Sequence, residues 1–306
     1  MSDAPPQPLL TDDDLLPPAF LRKLDRLRLS SRVIHPGASM GERISRARGS
    51  GMEFSDHKEY SPGDDFRMID WNVYARLDQL VVKLFETEEN LSVCVLLDAS
   101  RSMDFGRSPA TTKWAMAARL AAAIGYIAMV NRDAMTMFLF AGHLGGRLDA
   151  LRGRGHMRQM MNLLSLTEPA GRSDFRTALR SAGAQLHRPG VCFVISDFCA
   201  GDHLAESLRG LVYYGHEIVA LHVVDDLEAD PGLEGEIDVV DSETGEVVPM
   251  TIRPDTLERY RQAFEVRCRA VATACATYDA KYLRLSTAQS VQDVVLGRFR
   301  REGILE

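Results

Sequence analysis

Residues 91–102 read LSVCVLLDASRS, and this stretch decides the fold. The unbroken apolar run at 93–97 is typical of a strand that is covered on both faces. Asp98, Ser100 and Ser102 follow directly, at alternate positions of a turn. Ligands of an open parallel sheet bind in the crevice beyond the carboxyl ends of its strands. The stretch therefore predicts a central strand with a polar binding loop at its end.

Four further runs have the same apolar character, and they lie at residues 135–140, 191–195, 218–224 and 282–285. Segments with a helical pattern lie between or after these runs, at about 112–130, 156–166, 174–187, 202–214, 256–278 and 289–301. Alternation of buried strands with helices predicts a doubly wound, mostly parallel α/β sheet. The segment 237–250 instead predicts a hairpin that turns at 242–245. We therefore expect one α/β domain over residues 90–306, with a hairpin insertion near 236–252.

The region before this domain has a different composition. Residues 1–18 are acidic and rich in proline, which is typical of a disordered tail. The next residues place Phe20, Leu24 and Leu27 on one face of a helix, which we expect to dock on its own domain. A polar stretch rich in Gly, Arg and Asp then ends in a strand-like run at 80–85. We interpret residues 19–89 as this helix followed by a small β-rich module.

Charge and cysteine content exclude several classes of protein. The net charge of −7, from 36 basic and 43 acidic residues, argues against a general nucleic-acid binder. Five irregularly spaced cysteines without a C-x-x-C pair indicate neither a zinc site nor a disulfide framework, so we expect a reducing cytoplasm. The N-terminus has no signal-peptide pattern. The apolar helix at 114–130 contains Arg119 and is shorter than the ~20 residues that a membrane span needs, so we interpret it as a core helix.

Three polar loops are expected at one edge of the sheet. The first contains Asp98, Ser100 and Ser102, the second contains Ser173 just before a helix, and the third contains Asp197 directly after the run at 191–195. Two carboxylates and three hydroxyls form an all-oxygen set that suits a hard divalent cation, Mg²⁺ or Mn²⁺. The predicted metal ligands are therefore Asp98, Ser100, Ser102, Ser173 and Asp197. No catalytic or other cofactor-binding residue is predicted.

These loops carry a resemblance to a known fold. Asp98-x-Ser100-x-Ser102, with Ser173 and Asp197, resembles the metal-ion-dependent adhesion site (MIDAS) of von Willebrand factor A domains. The resembled domains usually have Thr where this chain has Ser173. The resemblance implies a von Willebrand factor A-like fold that binds proteins through the ion, with Asp197 acting mainly through water.

A second resemblance lies in the segment before the domain. The motifs are GSGMEF at 49–54, EYSPGDDFR at 59–67, IDWN at 69–72 and AR at 75–76. They resemble the family catalogued as domain of unknown function 58, and the resemblance covers roughly residues 30–300. It implies association with a MoxR-type AAA+ ATPase, as an adaptor or a co-chaperone-like factor.

Three functions are compatible with these residues. The leading hypothesis is a cytoplasmic adaptor, not an enzyme, that binds an acidic side chain of a partner, a MoxR-type ATPase or its client, through the cation. The alternative is a metal-dependent hydrolase or phosphotransferase with Asp98 as nucleophile. Phosphotransfer folds of the haloacid dehalogenase type need a second Asp two residues later, where this chain has Ser100, and no Lys or His acid–base partner is evident nearby in the sequence. A structural protein without an ion is the third possibility.

Overall fold

A computed structural model describes residues 9–32, 52–87, 90–186, 188–199, 203–241 and 245–306 of the chain. The chain divides into two compact units. The larger unit combines Met1–Val33 with Leu91–Glu306, and the smaller unit is Ile34–Asn90. The helix after the N-terminus therefore belongs to the larger unit, whereas the sequence analysis grouped it with the β-rich module.

The strands of the described residues are β1 (Met52–Glu59), β2 (Val81–Thr87), β3 (Ser92–Asp98), β4 (Ala134–Phe140), β5 (Leu144–Leu151), β6 (Val191–Ser196), β7 (Glu217–Val224), β8 (Gly235–Val240), β9 (Val247–Ile252) and β10 (Lys281–Ser286). The helices are α1 (Asp12–Leu15), α2 (Pro18–Leu24), α3 (Trp71–Leu77), α4 (Lys113–Val130), α5 (Met157–Leu166), α6 (Phe175–Gln185), α7 (Leu204–Tyr213), α8 (Asp226–Ala229), α9 (Pro254–Ala276), α10 (Val291–Asp293) and α11 (Phe299–Arg301). A π-helical turn, Val294–Arg298, joins the last two helices.

The larger unit is built on a six-stranded sheet with the order β10-β7-β6-β3-β4-β5. All neighbouring strands are parallel except β4 and β5, which are antiparallel. The chain first extends the sheet from β3 toward β5 and then returns to the other side of β3 with β6. The predicted doubly wound, mostly parallel α/β sheet is confirmed.

The edge strand β5 was missed in the sequence. Its residues LGGRLDAL contain two adjacent glycines and charged side chains, and only Leu148 and Leu151 in it are buried. A strand at the edge of a sheet is half solvated and lacks the unbroken apolar run that marks a central strand. The signal on which the prediction relied was therefore absent.

Helices cover both faces of the sheet. Successive residues of β3 point to opposite faces, so each set of side chains packs against different helices. Val93, Val95 and Leu97 pack on the face covered by α4 and α5. Cys94 and Leu96 pack on the face covered by α6, α7 and α9. The inner strands β3, β6 and β7 are thus buried on both sides, as the apolar runs indicated.

Helix α4 is the central helix of the first face. Among the described helices it is the one with the length and mean hydropathy, 1.2, of a membrane span, yet 89% of it is buried inside the unit. A helix that is apolar on all sides belongs either to a membrane or to the core of a domain. Here it packs on β3, α5 and the N-terminal segment, so the predicted core helix is observed.

Residues 9–18, which the sequence analysis assigned to a disordered tail, are folded. Thr11 and Asp14 form a capping box at the start of α1, in which the Thr11 N–H donates to Asp14 Oδ2 at 2.9 Å. Leu10, Leu15 and Leu16 are buried beside α4 and α5. The acidic residues that suggested a solvated tail instead occupy the first turn of a helix, where negative charge is favourable. Residues 1–8 lie outside the described part.

The smaller unit pairs β1 with β2 in an antiparallel ribbon. Asp70 begins α3 as its N-cap, and its Oδ1 accepts from the Asn72 N–H at 2.9 Å. The His57 ring lies 3.2 Å from the other carboxylate oxygen of Asp70, which ties the strand to the start of the helix. Residues 49–51 of the glycine motif lie outside the described residues.

The hairpin insertion, which we placed near 236–252, runs from β8 to β9 in the larger unit. Its register pairs Gly235 with Ile252 and Val240 with Val247. The connection at 242–244 lies outside the described residues. The insertion follows β7 and α8, at the carboxyl edge of the sheet.

Two glycine-to-alanine substitutions test this architecture. The Cβ of Gly190→Ala would overlap with the carbonyl oxygen of Ser92, where β6 begins beside β3. We expect a loss of about 1–3 kcal/mol in the free energy of unfolding, because neither backbone can yield without disturbing the sheet. Gly210→Ala, inside α7 and with no atom within 4 Å of its Cβ, should instead gain roughly 0.5–1 kcal/mol. Urea denaturation measures both, and a gain at Gly190 would contradict the described pairing of β3 and β6.

Candidate metal site at the carboxyl edge of the sheet

The candidate site lies between β3 and β6, which are neighbours in the sheet. The connections that follow them lead to opposite faces, because α4 follows β3 and α7 follows β6. Such a topological switch point opens a crevice at the carboxyl ends of the strands. Asp98 is the last residue of β3, and Asp197 directly follows β6.

Backbone hydrogen bonds fix the loop that contains Ser173 against the loop after β3. The Ala170 N–H donates to the Ala99 carbonyl at 2.8 Å, and the Arg101 N–H donates to the Gly171 carbonyl at 2.9 Å. The Asp174 N–H donates to the Ala141 carbonyl, at the end of β4, at 2.9 Å. Ser173 is therefore held beside Asp98 although 75 residues separate them.

Asp98 is the centre of the resulting hydrogen-bond network and has no exposed surface. One oxygen, Oδ1, accepts from the Ser100 N–H at 2.9 Å. The other, Oδ2, accepts from the hydroxyls of Ser173 at 3.3 Å and Ser196 at 2.6 Å. The Ser100 and Ser102 hydroxyls are 3.1 Å apart.

Asp197 completes the group, because its carboxylate lies near enough to Asp98 for its negative charge to raise the pKa of Asp98. The structure therefore brings all five predicted residues to one place.

The two carboxylates differ in ionisation. Burial, together with the negative charge of Asp197, raises the pKa of Asp98 to about 6, although hydrogen bonds from Ser196 and Ser100 act in the opposite direction. Burial would also raise the pKa of Asp197, but the Lys113 ammonium group outweighs burial and the pKa is lowered. Asp98 thus lacks the positively charged partner that Asp197 has in Lys113.

Lys113 was missed in the sequence analysis, which found no basic partner near the site. It is the first residue of α4, it has no exposed surface, and its Nζ lies 2.6 Å from Asp197 Oδ2. The same Nζ lies 2.5 Å from Glu228 Oε1 in α8. Burial favours the neutral amine, but the two carboxylates outweigh it and raise the pKa of Lys113. A lysine at the start of a largely apolar helix was the available signal, since the helix dipole disfavours a cation there.

Ser196 was also missed as a member of the site. Its hydroxyl donates to Asp98 Oδ2 and accepts from the Phe198 N–H at 2.8 Å, so it joins the ends of β3 and β6. Ser196 is fully buried. Its place directly before Asp197 was visible in the sequence, but only the pairing of β3 with β6 shows that it points at Asp98.

The charges of the group sum to a small negative value. Asp98, Asp197 and Glu228 supply three carboxylates against the one ammonium group of Lys113, which leaves a net charge of −2 when all are ionised. Cys199 lies at the same edge, where desolvation of its thiol and the charge of Asp197 raise its pKa to about 12. One divalent cation matches the remaining charge.

Comparison with known proteins identifies the family. The fold and the site together define an α/β protein with a polar site at the switch point of its sheet. The family described as "Protein of unknown function DUF58" matches residues 56–273. The chain belongs to this family, which confirms the predicted membership, and its larger unit has the doubly wound, mostly parallel α/β sheet that we expected.

Several proteins are similar to this chain. "Uncharacterized protein Rv1480" of Mycobacterium tuberculosis is 28% identical over 305 residues, which cover 97% of this chain and 95% of that protein. Among solved structures, the conserved hypothetical protein BatB from Bacteroides thetaiotaomicron has a TM-score of 0.44 at 16% identity, covering 69% of this chain and 98% of that one. The SpRpn10 VWA domain has a TM-score of 0.38 at 13% identity, covering 68% of this chain and 94% of that one.

Proposed function

We propose that this protein is an adaptor that binds a protein partner through a divalent cation, Mg²⁺ or Mn²⁺. The ion would be held at the carboxyl edge of the sheet by Asp98, Ser100, Ser102, Ser173 and Asp197. The observation that carries the proposal is the convergence of the other four oxygen-bearing side chains, which come from three separate loops, around the buried carboxylate of Asp98.

The donor set fits a hard cation. Carboxylate and hydroxyl oxygens are the ligands that Mg²⁺ and Mn²⁺ prefer, and no nitrogen or sulphur atom is needed. The ion would relieve the repulsion between Asp98 and Asp197, which contributes to the raised pKa of Asp98. Because Asp197 shares its negative charge with the Lys113 ammonium group and three of the five ligands are neutral hydroxyls, the direct ligands leave the ion part of its positive charge for a carboxylate from outside.

The partner would present an Asp or Glu side chain to the ion. A carboxylate is the group that an incompletely neutralised divalent cation attracts most strongly, and exclusion of water at the contact strengthens the attraction. The family resemblance makes a MoxR-type AAA+ ATPase, or its client, the first partner to test. We assign the adaptor to the cytoplasm, because its five cysteines are all free.

Catalysis by Asp98 is the alternative, and the geometry gives it less support. A phosphotransfer nucleophile of the haloacid dehalogenase type works with a second acid two residues later, but that position holds Ser100, whose N–H donates to Asp98 Oδ1 at 2.9 Å. The nearby base, Lys113, is held by two carboxylates and is itself fully buried. These observations favour a binding site without covalent chemistry.

Substitution of Asp98 tests the ion. We expect Asp98→Ala to weaken Mn²⁺ binding by at least about a hundredfold, because it removes the ligand on which the other four converge. Asp104→Ala removes an exposed acid of the same loop and should leave the affinity unchanged. Isothermal titration calorimetry measures both, and circular dichroism confirms that each variant is folded. Equal Mn²⁺ affinity in the two variants would rule out the site.

Removal of the ion tests the partner contact. Without the cation, a partner carboxylate would face Asp98 and Asp197, and like charges at that distance repel. We therefore expect a purified MoxR-type ATPase to be retained by the immobilised protein in Mg²⁺ and released in EDTA. Ser100→Ala combined with Ser102→Ala should give the same loss, whereas Ser108→Ala, an exposed serine of the following turn, should not. Equal retention in Mg²⁺ and EDTA would show that the contact does not use the ion.

A further inference from the structure

Lys113 contacts a group of atoms that could bind a metal ion. Asp197, Cys199 and Glu228 each offer one ligand atom, and these three atoms lie within 4.8 Å of one another. The Lys113 ammonium group is in direct contact with two of them, at 2.6 Å from Asp197 and 2.5 Å from Glu228. A cation that belongs to the chain therefore lies among atoms with the spacing of a metal site.

The ion pairs of this ammonium group are not ordinary surface ion pairs, because they are buried. Lys113 has no exposed surface, and the exposed fraction of the two acidic side chains is 2% for Asp197 and 16% for Glu228. A buried charge is tolerated only when it is paired and hydrogen-bonded. The three residues come from the start of α4, the end of β6 and α8, so the cluster connects three elements of the carboxyl edge.

Asp197 belongs both to this cluster and to the site around Asp98. Its Oδ2 receives Lys113, whereas its Oδ1 accepts from the Cys199 N–H at 2.9 Å. Without Lys113 the edge would carry three carboxylates and the Cys199 thiol. These groups would surround two adjoining positions for cations, one at Asp98 and one at Glu228, with Asp197 between them. With Lys113 the remaining charge of −2 is matched by a single divalent ion.

We propose that Lys113 determines how many metal ions this edge binds. Its ammonium group occupies the position of a second cation among Asp197, Glu228 and Cys199, and it leaves the position at Asp98 for one divalent ion. The part that concerns Asp98 rests on the proposed function, whereas the part that concerns Lys113 does not. Lys113 therefore determines the number of metal ions through its contacts with Asp197 and Glu228.

A substitution that empties the position tests this proposal on the full chain. Lys113→Ala removes the ammonium group and leaves space for an ion, and alanine is well tolerated in a helix. We expect the number of Mn²⁺ ions bound, measured by calorimetry, to rise from one in the wild-type protein to two in Lys113→Ala. Lys113→Ala combined with Glu228→Gln removes a ligand of the new position and should return the number to one.

Cobalt gives a second readout that a purely structural role of Lys113 would not change. Co²⁺ bound in the emptied position would take the Cys199 thiolate as a ligand, since thiolates favour the later transition metals over hard cations. We expect a cobalt–thiolate charge-transfer absorption in Lys113→Ala that the wild-type protein lacks. The absorption should disappear when Cys199→Ser is added, while the number of bound Mn²⁺ ions stays at two.

The outcomes separate the two proposals. One Mn²⁺ ion in folded Lys113→Ala, without a cobalt–thiolate absorption, would overturn the role of Lys113. No ion in the wild-type protein but one in Lys113→Ala would overturn the site at Asp98 and support the role of Lys113. If Lys113→Ala is unfolded without metal, recovery of its melting transition by Mn²⁺ but not by NaCl supports the proposal, and failure to recover overturns it.

Discussion

Two carboxylates, Asp98 and Asp197, are buried side by side where the central strands end, and the rest of the edge compensates for their charge. Removing an ionised carboxylate from water costs on the order of several kcal/mol, so each must receive hydrogen bonds or a counter-charge. Asp197 receives Lys113, and Asp98 receives hydroxyl and amide hydrogens. The two carboxylates therefore differ in net charge: the Lys113 ammonium group cancels the charge of Asp197, whereas hydroxyl groups leave the charge of Asp98 in place. The uncancelled charge at Asp98 is what makes a cation at this edge physically reasonable.

Strand order explains why these groups meet. The chain leaves β3 for one half of the sheet and returns beside β3 with β6, so that residues near 98 and near 197 end neighbouring strands. Helix α4 then begins beside the crevice and brings Lys113 to Asp197, while α8 follows β7 and brings Glu228. The arrangement collects carboxylate and hydroxyl oxygens that suit a hard cation, and this is the reason for proposing a binding role at this edge.

The sequence was most informative where one local pattern was sufficient. Buried strands were predicted from apolar runs, and Asp98, Ser100 and Ser102 were predicted from their place after such a run. Three members of the site could not be predicted from the sequence, namely Lys113, Glu228 and Ser196. Each forms its hydrogen bond with a residue 84 to 115 positions away, and local sequence patterns do not show such contacts. The folded segment before residue 18 was mistaken for a tail, because acidic residues suit both a solvated chain and the first turn of a helix. The edge strand β5 escaped notice because its half-solvated side chains show no continuous apolar run.

The central claim is that a single divalent cation binds at Asp98 while Lys113 stays with Asp197. A crystal structure of the wild-type protein grown with Mn²⁺, with anomalous scattering collected to locate manganese, examines this claim most directly. We expect one manganese peak at the carboxyl edge, bonded to the Asp98 carboxylate, with the Lys113 ammonium group still paired to Asp197 and Glu228. A well-ordered edge without manganese, or a manganese ion bound to Asp197 and Glu228 in place of the displaced lysine, would contradict it.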